Sequence, residues 1–384
     1  MIFLIFLLSL CIHASYSVNC KNEKNEDVDW FIIYKIPKLE YSEDVILKEG
    51  HGYVYLDNTN TQWLYPQKDI KESNNALAFT MTQLYENTND KDFMRMSYND
   101  ASPDGQEHFD FGHTKGVLMS NVTNGVWLVH SLPRFPISVQ ESSHYFYPPN
   151  GAWNGQIFLC ISIDHAQLLN ISQLIYYDTP YIHDKYIPES FMDENSYFRW
   201  LNQNEDVVSN KSAPWTLNNL FTSLWTKTVF TGFAKYKRFN ADIYTNILAP
   251  FYDADLLTET WQVDKRHILN SSCIKIPRVE NIKGISFSSH SHLDMNSRHP
   301  YNLPSNLDAI HFSELIDHSK WTITASSGSV VCVGDLNREI TQAKRSGGMV
   351  CIDNPNLWES FKQIISDIEA CPLPLDDIIV NNSV

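Results

Sequence analysis

Two tripeptides in this chain combine the side chains that phosphate chemistry asks for. His113-Thr114-Lys115 and His318-Ser319-Lys320 each set an imidazole two residues from an ammonium. In an extended segment residues two apart share a face, so each tripeptide delivers both groups to one spot, about 7 Å apart along the backbone. The surroundings repeat as well. Residues 126–134 can be laid over 330–338, and the HxK stands thirteen positions ahead of the first run and twelve ahead of the second. A repeat of this kind reads as two similar halves. Related by a pseudo-twofold axis, they would gather two histidines and two lysines around one cavity. The lysines would hold the non-bridging oxygens of a phosphodiester and offset the charge that builds there. One neutral histidine would attack phosphorus and become covalently phosphorylated. The other, protonated, would give its proton to the leaving oxygen and later take one from water.

The residues around these tripeptides carry a family resemblance. Asp29-Trp30-Phe31, Tyr98-Asn99-Asp100, Gly112-His113-Thr114-Lys115-Gly116-Val117, Trp127-Leu128-Val129-His130-Ser131, Phe158-Leu159-Cys160, Phe233-Ala234-Lys235, Asp317-His318-Ser319-Lys320-Trp321 and the run Cys332 to Arg338 spread it over nearly the whole chain. On them the chain resembles the deoxyribonuclease II family of the phospholipase D-like superfamily. The resemblance implies an α/β (α+β) fold, a phospholipase D-like pseudo-dimer of two similar halves with mixed central sheets flanked by helices. It implies acid, metal-independent endonucleolytic cleavage of DNA to 3′-phosphate and 5′-hydroxyl ends. No cofactor and little sequence preference are expected, and the role implied is clearing DNA of dead or engulfed cells, in lysosomes or after secretion.

Carried over residue by residue, the catalytic set is His113, Lys115, His318 and Lys320. Asp335 and Asn337 stand where the superfamily keeps polar residues that orient the second histidine, and a tight turn after the strand is the other reading of both. His130 lies beside the position matching Asp335, as a supporting residue or a buried partner of the loop. The same resemblance implies the disulfides Cys20–Cys160, Cys273–Cys371 and Cys332–Cys351. Arg134, Lys235, Lys237 and Arg338 are candidates for DNA-backbone contacts, against the plainer reading of solvated charge.

Several elements must position these groups. Residues 29–35 read as an early, mostly buried strand ended by Pro37. Residues 112–119 and 126–130 read as paired strands, 157–163 as another short buried one, and 321–333 returns to strand character. Residues 94–104 are largely polar and read as a loop, and 178–212 as an irregular surface excursion between the halves. A helix is expected over 214–228, and an amphipathic terminal helix over 355–368. The Ser- and His-rich stretch 288–306 reads as a long loop.

Residues 1–17 read as a signal peptide, an apolar run ending at Ser15-Tyr16-Ser17, and 18–384 as a single domain with halves of about 18–200 and 213–384. Six cysteines then remain, an even count suited to three disulfides, with 15 connectivities open on spacing alone. No CxxC pair is present, which argues against a zinc ribbon. Sequons at Asn121, Asn170, Asn210, Asn270 and Asn381 point to the same exported compartment. The formal charge is −16, with 45 acidic and 29 basic residues. That field repels DNA at neutral pH and relaxes near pH 5, where carboxylates begin to protonate and histidines charge.

Three other readings stand beside the nuclease. His290-Ser291-His292-Leu293-Asp294 forms HxHxD, a metal-binding pattern of metallohydrolases, although Met295 follows where a histidine is usual. A catalytically silent, secreted DNA-binding or immune-modulating protein would need neither HxK. A lipid phosphodiesterase would want an apolar surface helix, and none is evident.

Overall fold

The computed structural model describes residues 17–203, 211–274, 276–287, 310–325, 328–369 and 371. Two large sheets dominate this mixed α/β structure. Edge to edge, the first runs Ile182–Tyr186, Met94–Asn99, Lys115–Ser120, Asn124–His130, Gln156–Asp164, Trp30–Lys35, Tyr53–Asp57 and Asn60–Leu64. The second runs Thr216–Thr222, Val229–Lys235, Gly347–Asp353, Val330–Gly334, Trp321–Thr324, Leu256–Glu259, Val279–Phe287 and Ile310–Ser313, and Ile365–Glu369 also pairs with Val279–Phe287. Ladders within both sheets are antiparallel except Leu256–Glu259 against Val279–Phe287.

Side-chain alternation along the central strands explains why both faces are covered. Trp30, Ile32 and Tyr34 point into the largest apolar cluster, which also holds Trp127, Leu159, Trp321, Val331 and Val350, so the two sheets share one core. Phe31 and Ile33 point the other way, against the helix Ala76–Glu86. Strands buried on both faces read as near-continuous apolar runs, as Trp30–Lys35 does. The helix Leu168–Asp178 joins the shared core through Leu168, Ile171, Leu174 and Ile175, spaced three and four apart as one helical face requires. Asn75 caps Ala76–Glu86 by accepting from the Ala78 N–H at 2.9 Å, and Asn354 with Pro355 opens Pro355–Gln363.

Four sequence expectations change. Residues 94–104 hold a fully buried strand, Met94–Asn99. Its polar residues fit because Arg95 reaches Asp184 at 3.5 Å and Asn99 binds the carbonyls of Leu132 and Phe135. Residues 214–228 hold the edge strand Thr216–Thr222 in place of a helix. The apolar spacing of Leu217, Leu220 and Phe221 mimics a helix, but full pairing with Val229–Lys235 prevails. Within 178–212 lie the strand Ile182–Tyr186 and the helices Glu189–Glu194 and Ser196–Gln203. The terminal helix stops at Gln363, and Ile365–Glu369 forms a strand.

Candidate functional site

Neither histidine lies within a strand. Lys115 begins Lys115–Ser120 and Lys320 immediately precedes Trp321–Thr324, so each imidazole sits on the lead-in to its strand. Both lead-ins are pinned by the other sheet. The His113 N–H donates to the Ser346 carbonyl at 2.9 Å, and the His318 N–H donates to the Gly155 carbonyl at 2.9 Å. Ser346 directly precedes Gly347–Asp353 and Gly155 directly precedes Gln156–Asp164. The bracing is thus reciprocal.

Buried lysines fasten the loops that supply those carbonyls. Lys35, facing Gln156 in the ladder, donates to the carbonyls of Gly50 at 3.2 Å and Ala152 at 2.9 Å. Lys235, facing Gly347, donates to those of Gln342 at 3.3 Å, Ala343 at 2.9 Å and Arg345. Close packing around the lead-ins favours glycine at two points. A Cβ on Gly112 would fall 1.8 Å from the Asp178 carbonyl oxygen, and one on Gly155 would fall 2.4 Å from Asp317 Oδ1.

At the first HxK, the Lys115 ammonium pairs with Asp100, and Arg345 Nη2 meets the other Asp100 oxygen at 2.9 Å and the Phe111 carbonyl at 3.0 Å. Burial alone would raise the Asp100 carboxyl, but Lys115, His113 and Arg345 hold it well below the usual carboxylate range. His113 Nδ1 lies 2.6 Å from the Asp335 carbonyl oxygen. A carbonyl only accepts, so Nδ1 carries the proton in the neutral ring and Nε2 keeps its lone pair. The Asp335 carboxylate accepts from the Lys115 N–H at 3.4 Å and the Gly348 N–H at 3.2 Å. Asp335 therefore orients the first histidine and its strand. The second histidine, which the sequence reading assigned to it, has other neighbours.

At the second HxK, the Trp261 ring lies 4.1 Å from the His318 ring, tilted by 53°, and its Nε1–H donates to the Leu315 carbonyl at 3.1 Å. His318 Nε2 is buried with no hydrogen-bond partner among the described residues. Lys320 donates to the His318 carbonyl. Asp317 is buried, accepts from Ser319 N–H and Oγ at 2.9 Å each, and is bonded by the Tyr34 hydroxyl.

Electrostatics link the two segments. Burial, then the charges of Lys320, Lys115 and Lys35, lowers His318 to about 2. Burial, then Lys115, also holds His113 well below the usual imidazole value. Lys320 is lowered to about 7 by burial and by Lys115. Lys115 acts on all three of the others, and Lys320 acts on both imidazoles. Two neutral imidazoles beside two ammonium groups suit an anionic ligand that has to be attacked and protonated.

Other expected positions fall elsewhere. His130 is fully buried between the rings of Phe135 and Phe158, with centroids at 5.3 and 5.8 Å. Asn337 is buried in the turn after Val330–Gly334, its Oδ1 without a partner among the described residues. Lys235 is the buried loop fastener, and Arg338 is 1% exposed and bonded to Asn281 and Ser272 Oγ. Neither can face DNA, because its polar end is spent on the protein interior. Arg134 is exposed and Lys237 half-buried.

Disulfides join Cys20 to Cys160, Cys273 to Cys371 and Cys332 to Cys351. Asn121 is 5% exposed, its Oδ1 accepting from the N–H groups of Thr123 and Asn124 in a tight turn, so the folded sequon is poorly placed for a glycan. Asn170 is half-buried and Asn270 exposed. The signal segment to residue 16, Asn210, Asn381 and the HxHxD residues His290, His292 and Asp294 lie outside the described residues.

Sequence reading passed over Asp100, Arg345, Lys35 and Trp261. Asp100 stood in a motif read as a loop. A lysine ending each of two apolar strands, Lys35 and Lys235, was a legible repeat. Arg345 and Trp261 gave no local signal.

Comparison with known proteins points one way. The family model for deoxyribonuclease II matches residues 19–371. Plancitoxin-1 of Acanthaster planci is 34% identical over 370 residues, covering 95% of this chain and 96% of the relative. Deoxyribonuclease-2-beta of Homo sapiens is 33% identical, covering 96% of each chain. Cell death-related nuclease 6 of Caenorhabditis elegans is 30% identical, covering 96% of this chain and 93% of the relative.

Proposed function

Because the chain belongs to the deoxyribonuclease II family of hydrolases, we propose that it is an acid, metal-independent endonuclease cutting DNA through His113, Lys115, His318 and Lys320. The observation that carries this reading is the reciprocal brace, which ties each HxK to the opposite sheet. His113 takes the nucleophile's part, since the Asp335 carbonyl occupies its Nδ1–H and leaves Nε2 free to attack. As the N–P bond forms, the bond from phosphorus to the 5′ oxygen breaks, and protonated His318 gives that oxygen its proton. Water then attacks the phosphohistidine, His318 takes the water proton, and a 3′-phosphate departs. Lys115 and Lys320 hold the non-bridging oxygens throughout.

On the same reading the substrate supplies the missing charge balance. Both imidazoles are kept neutral by burial and by the lysines, and an anionic phosphate between those lysines favours protonation of His318. Acid conditions then help at the step that needs a charged imidazole. Residues 18–384 act as one domain of two pseudo-symmetric halves, exported after loss of residues 1–17 to a lysosomal or extracellular site. Its task is to degrade DNA of dead or engulfed cells, a role supported by the name of the Caenorhabditis elegans relative.

Plasmid cleavage by the purified chain at pH 5 with excess EDTA is the test. Nicked and linear products with 3′-phosphate ends are expected. Loss of cleavage in EDTA, regained with a divalent cation, overturns the metal-independent mechanism.

A further inference from the structure

Two aromatic rings on the loops leading to the braces are largely exposed. Phe109 is 72% exposed and Trp153 is 61% exposed, each on a loop next to one of the braces. A cation lies by each ring. The Arg345 guanidinium is 5.9 Å from the Phe109 centroid, and the Lys38 ammonium is 4.8 Å from that of Trp153.

Both rings are wired to the candidate site. Phe109 stands four residues before His113, and its Arg345 also holds Asp100, the partner of Lys115. Trp153 stands two residues before Gly155, whose carbonyl pins His318, and one after Ala152, which Lys35 grips. Lys38 is bound to Trp153 through its backbone as well, its N–H donating to the Trp153 carbonyl at 3.3 Å, and its ammonium meets Glu40 at 3.1 Å.

Resting on the nuclease reading, we propose that Phe109 with Arg345 and Trp153 with Lys38 are two base-stacking subsites, one on each side of the scissile phosphate. Every nucleobase offers a π-face, so such rings bind a strand without reading its sequence, and the adjacent cations favour both the stacked ring and the neighbouring phosphate. A ring held on a fastened loop loses little conformational freedom when a base settles on it. A base that swings out beside the cut meets a ring on either side.

The experiment compares two fluorescein-labelled strands of equal length, one with ordinary bases and one built wholly of abasic residues, titrated by anisotropy. His113→Ala is the background, so binding is read without cutting. Phe109→Ala and Trp153→Ala are each expected to weaken binding of the base-bearing strand about tenfold and leave the abasic strand within about twofold. Phe109→Leu and Trp153→Leu keep apolar bulk without a π-face and should show the same loss, which separates stacking from folding. Equal losses on both strands, or none on either, overturn the subsites. A wild-type chain that leaves plasmid uncut at pH 5 sinks the nuclease reading instead, while the titration still decides the stacking.

Discussion

At matching positions beside the two HxK segments stand an aspartate and a tryptophan. Counting outward from the paired residues Tyr98 with Gly116 and Glu259 with Trp321, Asp100 and Trp261 occupy the same place. Asp100 gathers Lys115 and Arg345 into a buried ion network. Trp261 covers His318 with an aromatic face, and His318 Nε2 has no partner among the described residues. Even the residues ahead of the histidines differ: Gly112 lets the Asp178 backbone come close, and Asp317 fills the corresponding position with a carboxyl held by Tyr34 and Ser319. The backbone braces are alike and the side-chain settings are not. One frame, used twice, thus gives one histidine a fixed tautomer and packs the other against an aromatic face.

Removing either imidazole should break the comparison most severely. His113→Ala and His318→Ala are each expected to abolish plasmid nicking at pH 5 in a folded, secreted protein, because each half supplies a different step. Activity above a few per cent in either variant would mean that the halves do not divide the work.

The neighbours should then separate in kind. Asp100→Ala leaves buried Lys115 and half-buried Arg345 without their shared carboxylate, and should cost about 3–5 kcal/mol of stability in denaturant titrations. Trp261→Ala should cost less stability and act on pH dependence. Burial is the first cause of the low His318 pKa, so opening the pocket to water raises it, and the alkaline limb of the rate profile moves to higher pH. A limb that stays in place in Trp261→Ala contradicts that role. In the wild type the rate should fall from pH 5 to pH 8. As pH passes about 7, Lys320 loses its charge and Asp335 gains one, and both changes weaken phosphate binding.

The smallest expected effect lies at the seam of the two sheets. Asp178 and Asp335 border one small cavity with Tyr98, Trp127 and Phe233. Burial raises Asp335 to about 7 and raises Asp178, and each charge opposes the other. An acid whose pKa is raised on folding contributes stability that is complete below the ordinary carboxyl value and is lost as pH rises through the folded value. The melting temperature should therefore decline from pH 5 to pH 8 through these groups. Asp178→Asn should shrink that decline by roughly 2–4 °C, read by calorimetry. An unchanged decline would remove the pair from the pH response.

Much of this was legible in the chain itself. The two HxK segments, the strands that follow them and the buried strand ending at Lys35 are local patterns, set by residue type and a period of two. The polar strand Met94–Asn99 was not legible, since Arg95 and Asn99 become acceptable in a core only through Asp184, Leu132 and Phe135. Nor was the edge strand Thr216–Thr222, where pairing with Val229–Lys235 outweighs a helix-like spacing.

Sequence alone determined the candidate groups and that they come in two copies, because side-chain identity and strand periodicity are local properties. Tertiary structure decided how differently the two copies are surrounded. Ser346 and Gly155 reach the opposite histidines, and Arg345 reaches Asp100, only when the sheets close on a shared core, and no local pattern encodes a contact made across that seam.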